Sequence, residues 1–236
     1  HLFCILPFEV DFYKQWDMQV DYVGTPLLDA KAAFKPDPDF RAAHGLQDKK
    51  LVALLPGSRR QEISKLLPDM VNVAARFPAY QFVIAGAPAF AEGYYQQYLN
   101  GAAIPVVFGL TYDLLHQAEA AIVASGTATL ETALFHVPQV VVYKGSAVSI
   151  AIARMVIKIR FISLVNLIMN KTVVKELIQQ DCNPQQIADE LDALLHDATY
   201  RDKMLAGYCQ LDERLGSPGA SGRTAALIIR YLGAKA

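Results

Sequence analysis

From Leu51 onward the chain alternates short, unbroken apolar runs with longer stretches whose apolar residues recur at helical spacing. The runs Leu51–Leu55, Gln81–Ala85, Ile104–Phe108, Ala120–Ala124, Gln139–Tyr143 and Phe161–Val165 predict strands. They are continuously apolar, as in strands covered on both faces. Between them, Gln61–Arg76, Pro88–Asn100, Tyr112–Gln117, Ala128–Phe135 and Ala147–Ile157 predict helices. This strand–helix rhythm predicts an α/β fold, a Rossmann-like doubly wound parallel sheet. Helices then dominate, over Thr172–Gln180, Pro184–His196, Thr199–Leu215 and Ala220–Tyr231, with Asn183-Pro184 and Gly216-Ser217-Pro218-Gly219 as breaks.

The first 45 residues follow a different pattern. Leu2–Pro7 is strand-like, Glu9–Asp17 a short helix, Gly24-Thr25-Pro26 a turn, and Pro36-Asp37-Pro38-Asp39 a stiff polar linker. The expected organisation is the end of an upstream domain plus linker over 1–45, a ligand-binding domain over 46–215, and a closing helix over 216–236. The chain opens on His1 inside an apolar segment, which points to a fragment of something longer.

Composition narrows the function classes. The 236 residues carry 22 Lys+Arg against 23 Asp+Glu, too balanced for nucleic-acid binding through an excess of cations. With 53% apolar and 19% charged residues, the chain is neither disordered nor short of core. The mean hydropathy of +0.21 raises the question of a membrane. Ser146–Met169, the best spanning candidate, is interrupted by Arg154, Lys158 and Arg160. That basic apolar segment reads either as a helix lying on an anionic membrane surface or as a covering helix of the sheet. The widely spaced Cys4, Cys182 and Cys209 form no CxxC pair and fit a reducing compartment.

In open α/β sheets ligands bind beyond the carboxyl ends of strands, near helix N-termini. After the first strand of the large sheet come Gly57, Ser58 and Arg59: a glycine permitting close backbone approach, a capping hydroxyl and a planar cation suited to phosphate. An ordinary turn with a solvated arginine is the competing reading. After the fourth come Ser125, Gly126, Thr127, Ala128, Thr129 and Glu131. Free amides there suit a pyrophosphate and the carboxylate suits a ribose diol, while a plain capping box with Thr127 as N-cap is the alternative. Gly109 and Leu110 after the third strand could border a base, or simply end the strand. Asn166, Lys175 and Glu176 place polar groups among apolar neighbours, where each needs a ligand or a backbone partner. There is no GxGxxG, GxxxxGK[ST], HExxH or GxSxG, so phosphate would be held by amides and arginine, with no metal and no cofactor.

Ile5-Leu6-Pro7-Phe8-Glu9, Val23-Gly24-Thr25-Pro26-Leu27, Leu54-Leu55-Pro56-Gly57-Ser58-Arg59, Ala124 through Glu131, Ser163-Leu164-Val165-Asn166-Leu167, Val174-Lys175-Glu176-Leu177 and Gly219-Ala220-Ser221-Gly222-Arg223 together resemble bacterial lipid-A-disaccharide synthase. The match runs in order along nearly the whole chain. Val165 departs from it, standing where the family usually has proline.

The resemblance implies the C-terminal, donor-binding half of a GT-B type glycosyltransferase with additional C-terminal helices. Such enzymes join UDP-2,3-diacylglucosamine to 2,3-diacylglucosamine 1-phosphate, giving a β-1,6 disaccharide 1-phosphate and UDP. It implies that Gly57, Ser58 and Arg59 face the diphosphate with Ser125, Gly126, Thr127 and Thr129, and that Glu131 holds the ribose. Gly109 and Leu110 would border uracil, and Asn166 and Glu176 approach the donor sugar. The acceptor site and catalytic base would lie in the absent N-terminal domain, leaving this chain inactive alone. It implies a peripheral position on the cytoplasmic face of the inner membrane, with Arg154, Lys158 and Arg160 as membrane-surface candidates; a homodimer stays open. Two alternatives remain: another GT-B enzyme of UDP-N-acetylhexosamine chemistry, such as a peptidoglycan glycosyltransferase or an epimerase, or a non-catalytic dimerisation module.

Overall fold

The computed structural model describes residues 1–46, 48–145 and 160–233. The expected helix Ala147–Ile157, with Arg154 and Lys158, lies outside the described residues. Six strands form the central sheet: β3 (Leu51–Leu55), β4 (Gln81–Gly86), β5 (Val106–Phe108), β6 (Ala118–Ala124), β7 (Gln139–Tyr143) and β8 (Lys175–Ile178). All their pairings are parallel, in the order β5-β4-β3-β6-β7-β8. The chain winds outward to one side from β3 and then to the other from β6, so the topological switch point lies between β3 and β6.

The apolar runs are continuous because the pleat sends alternate residues into two separate layers. Val52 and Leu54 pack on one face with Phe82, Ile84, Ile122 and Val140. Leu51, Ala53 and Leu55 pack on the other with Val83, Ala121 and Val123. Helices α4 (Arg60–Ala74), α7 (Thr127–Leu134), α9 (Pro184–His196) and α10 (Ala198–Leu215) contribute buried residues to the first layer. Helix α6 (Thr111–Gln117) covers the second. No helix among the described residues is long and apolar enough to cross a membrane.

Several boundaries differ from expectation for local reasons. Pro105 has no N–H for the ladder, so the third strand begins at Val106 rather than Ile104. The helix expected over Pro88–Asn100 shrinks to α5 (Glu92–Gln96), with Ala91 as its N-cap. The strand expected at Phe161–Val165 is instead the approach to α8 (Leu164–Met169), where the Ser163 hydroxyl accepts from the Asn166 amide as an N-cap. The helix expected at Thr172–Gln180 is β8, paired with β7 from Val140↔Lys175 to Tyr143↔Ile178.

The two corrected segments are held together by one polar network. The Asn166 side chain accepts from the Val173 and Val174 amides, and donates to the Val174 carbonyl and to Glu176. The Glu176 carboxylate also accepts from the Ile162 and Ser163 amides and the Ser163 hydroxyl.

The N-terminal segment forms a small layer of its own. Parallel β1 (Phe3–Cys4) and β2 (Asp21–Tyr22) flank α1 (Pro7–Lys14), and Thr25 caps α2 (Pro26–Ala33). Helix α11 (Ala220–Gly233) packs back onto it. There Arg223 donates to the Val23 carbonyl, Asp29 accepts from the Gly219 and Ser221 amides, and Tyr231 donates to Asp21. The Pro36–Asp39 stretch is pinned, because the Asp37 amide donates to Asp113 at 2.8 Å. Phe40, on α3 (Phe40–Ala43), is fully buried in the second core layer.

Candidate functional site

A cleft of about 410 Å³ opens over the carboxyl ends of β3, β4 and β6, at the switch point. That volume is within the range of small-molecule sites. Its floor comes from Leu55, Ala85, Gly86 and Ala124. Its walls come from Gly57, Ser58, Arg59 and Glu62 on one side and from Ser125, Gly126, Thr127, Ala128 and Glu131 on the other, with Ala87, Pro88 and Thr111 between. The loops after the first and fourth strands of the sheet therefore meet across one cavity.

The two walls end in helix N-termini of different character. On the α4 side the N-cap is Arg59 rather than Ser58, and Glu62 closes the turn. One Glu62 oxygen accepts from the Ser58 amide at 3.0 Å and the Arg59 amide at 3.2 Å; the other accepts from the Arg59 guanidinium at 2.8 Å. Gly57 sits at φ +100°, and a Cβ there would fall 2.8 Å from the Glu62 Cβ. Glycine is thus required both by the backbone conformation and by the packed glutamate.

On the α7 side Gly126 is the N-cap, not Thr127, and no side chain caps the turn. The Thr129 hydroxyl donates to the Gly126 carbonyl at 2.8 Å and Thr129 is fully buried, so it turns into the helix instead of lining the cleft. The hydroxyl of Ser125 donates to the Ile162 carbonyl, which ties this loop to the start of α8. Thr127 remains exposed at the first helical position, and the first turn itself carries no acidic residue.

Glu131 lies one turn into α7 and faces the cleft. Burial pushes its carboxyl above the ordinary value, and the Tyr112 hydroxyl, donating at 3.1 Å, offsets part of that. Burial, with the adjacent Glu131 charge, pushes Tyr112 up to about 12. The Tyr112 ring is wedged against Phe34 and Phe135, so its hydroxyl is fixed in place. On the β4 side the Ala87 amide donates to the buried Tyr95 hydroxyl at 2.7 Å, which sets the Ala87–Pro88 lip.

Gly57, Ser58, Arg59, Ser125, Gly126, Thr127 and Glu131 come together as the sequence predicts. Gly109, at φ +71°, and Leu110 lead into Thr111 at the edge of the cleft without lining it. Asn166 and Glu176 do not line it either. Asn166 is buried, and the polar atoms of both serve the network that joins α8 to β8. Arg160 stacks on Phe161, with its guanidinium 5.0 Å from the ring. Among the described residues, no group of acidic, histidine or cysteine side chains is placed to hold a metal ion.

Sequence reasoning missed Glu62, Tyr112 and Tyr95. Glu62 had a signal, being a glutamate three residues after the N-cap, but the cap residue is an arginine and conceals the box. The tyrosines carried no local signal, since their partners lie in other segments.

The model of the family described as Lipid-A-disaccharide synthetase matches residues 1–223. The chain belongs to this family. A lipid-A-disaccharide synthase from Myxococcus xanthus is 38% identical over 98% of the chain, and one from Syntrophus aciditrophicus is 40% identical over 97%. In both cases the chain spans 62% of the relative's length. Among solved structures, the S. aureus MnaA–UDP co-structure superposes with a TM-score of 0.66 at 16% identity, covering 96% of this chain and 58% of that one. At that identity the likeness shows the fold, and the lipid-A-disaccharide synthase family is shown by sequence.

Proposed function

We propose that this chain carries the donor-nucleotide half of a lipid-A-disaccharide synthase. The observation that supports the reading is the cleft at the switch point. It brings an open helix N-terminus, an arginine and a half-buried carboxylate together within one nucleotide-sized space. The donor would be UDP-2,3-diacylglucosamine. Its diphosphate would lie on the Thr127 and Ala128 amides and Arg59, and its ribose on Glu131, with no metal in the binding set. UDP in the MnaA co-structure, on the same fold, accords with a uridine nucleotide here.

In the reaction the 6-hydroxyl of 2,3-diacylglucosamine 1-phosphate attacks the donor's anomeric carbon as the bond to UDP breaks. The hydroxyl proton passes to a base outside this chain, and the departing phosphate's charge is held by the α7 amides and Arg59. The acylated substrates place the protein at the cytoplasmic surface of the inner membrane as a peripheral enzyme. The exposed Arg160 borders the segment that would contact it.

Calorimetric titration of the chain with UDP tests the reading. Saturable binding is expected, weakened about tenfold in Arg59→Ala by loss of a charge-assisted contact. A folded chain that takes up no UDP would overturn it.

A further inference from the structure

We infer that Glu62 is a built-in anion that holds the α4 end of the cleft and competes with the donor's phosphates for Arg59. The inference rests on the donor-site reading above. Glu62 places one carboxylate on three donors, the Ser58 amide, the Arg59 amide and the Arg59 guanidinium. These are the groups that a phosphate at this helix end would use. A phosphate and Glu62 cannot share them, because two anions on one set of donors repel more strongly than the donors compensate.

The seat is built for the carboxylate. Gly57 takes a left-handed conformation, and any side chain on it would collide with Glu62. The neighbouring α7 end, by contrast, carries no acidic residue in its first turn. The diphosphate therefore settles at the α7 end, and Arg59 reaches it only by leaving Glu62. The Arg59 side chain is 80% exposed, so little packing resists that swing. Glu62 thus sets donor affinity and eases product departure, because it can reclaim Arg59 when UDP leaves.

The test compares UDP, inorganic pyrophosphate and uridine binding to the chain and to Glu62→Gln. Glutamine can still cap the turn, so the fold is preserved while the charge is removed. UDP and pyrophosphate are expected to bind about fivefold tighter or better to Glu62→Gln, with uridine unchanged, an effect of one screened charge in a partly open cleft. Glu62→Ala supplies a second variant, expected to shift UDP in the same direction while melting lower. Unchanged or weaker UDP binding in Glu62→Gln, with the wild type binding normally, overturns the inference alone. A wild-type chain that binds no UDP overturns the donor-site reading and the inference with it.

Discussion

The two helix ends that face each other across the cleft look alike in sequence and differ in electrostatic state. Both follow a buried strand, and both begin with small or hydroxylated residues around a glycine. At α4 the helix supplies its own counter-anion, so the positive end of its dipole is already neutralised. At α7 no described residue performs that role, and the first turn lines the cavity. A glycine–hydroxyl motif after a strand thus marks a place where an anion can sit. What differs between the two ends is the residue three positions after the cap: Glu62 at one, the buried Thr129 at the other.

The comparison can be broken most severely by making the open end resemble the closed one. Ala128→Glu would put a carboxylate in the first turn of α7, and UDP affinity should fall about thirtyfold or more, read by calorimetry, while the melting temperature changes little.

A second test separates polar groups that serve the ligand from those that serve the fold. Asn166→Ala strands the Val173 and Val174 amides and removes one donor from Glu176. It should cost about 2–4 kcal/mol of stability in denaturant unfolding, with UDP affinity of the folded protein unaltered. A large loss of UDP affinity without loss of stability would instead return Asn166 to the ligand.

The smallest expected effect concerns protonation at Glu131. Its carboxyl is raised by burial, so it takes up a proton at a higher pH than a free glutamate. In the proposed donor site an ionised Glu131 is the acceptor for the ribose diol. UDP affinity should therefore begin to fall with decreasing pH sooner than a free glutamate would allow, and Glu131→Gln should flatten that slope. Stability moves the opposite way. A raised carboxyl favours the folded state below its unfolded value, and that contribution is lost as pH rises through the folded one. Glu131→Gln should remove that decline as well.

How legible these features were depended on how local their cause is. Leu51–Leu55 and Gln139–Tyr143 form strands to the residue, because fully buried parallel strands carry an uninterrupted apolar signal. Phe161–Val165 and Thr172–Gln180 were exchanged in type. A short apolar run does not by itself separate strand from helix, and the deciding bonds join Asn166 to Val174 and Glu176 to Ile162. The loops after β3 and β6 were readable as site walls because glycine and hydroxyl residues concentrate there. Thr129 was not readable as a buried backbone partner, since its hydroxyl's choice between cleft and carbonyl depends on the helix turn around it. Phe40 gave no sign of its burial, because the strands it packs against follow it in the chain.

The dock between residues 1–33 and helix α11 bears on the order in which the protein is made. His1 stacks on Tyr231 with ring centroids 3.5 Å apart, and Arg223 reaches back 200 positions to the Val23 carbonyl. Residues 1–33 are synthesised well before α11, so they cannot reach their docked position until that helix has emerged. The central sheet can therefore form before residues 1–33 find their partner helix. Nascent chains stalled just before Ser217 should be the ones that chaperones hold longest.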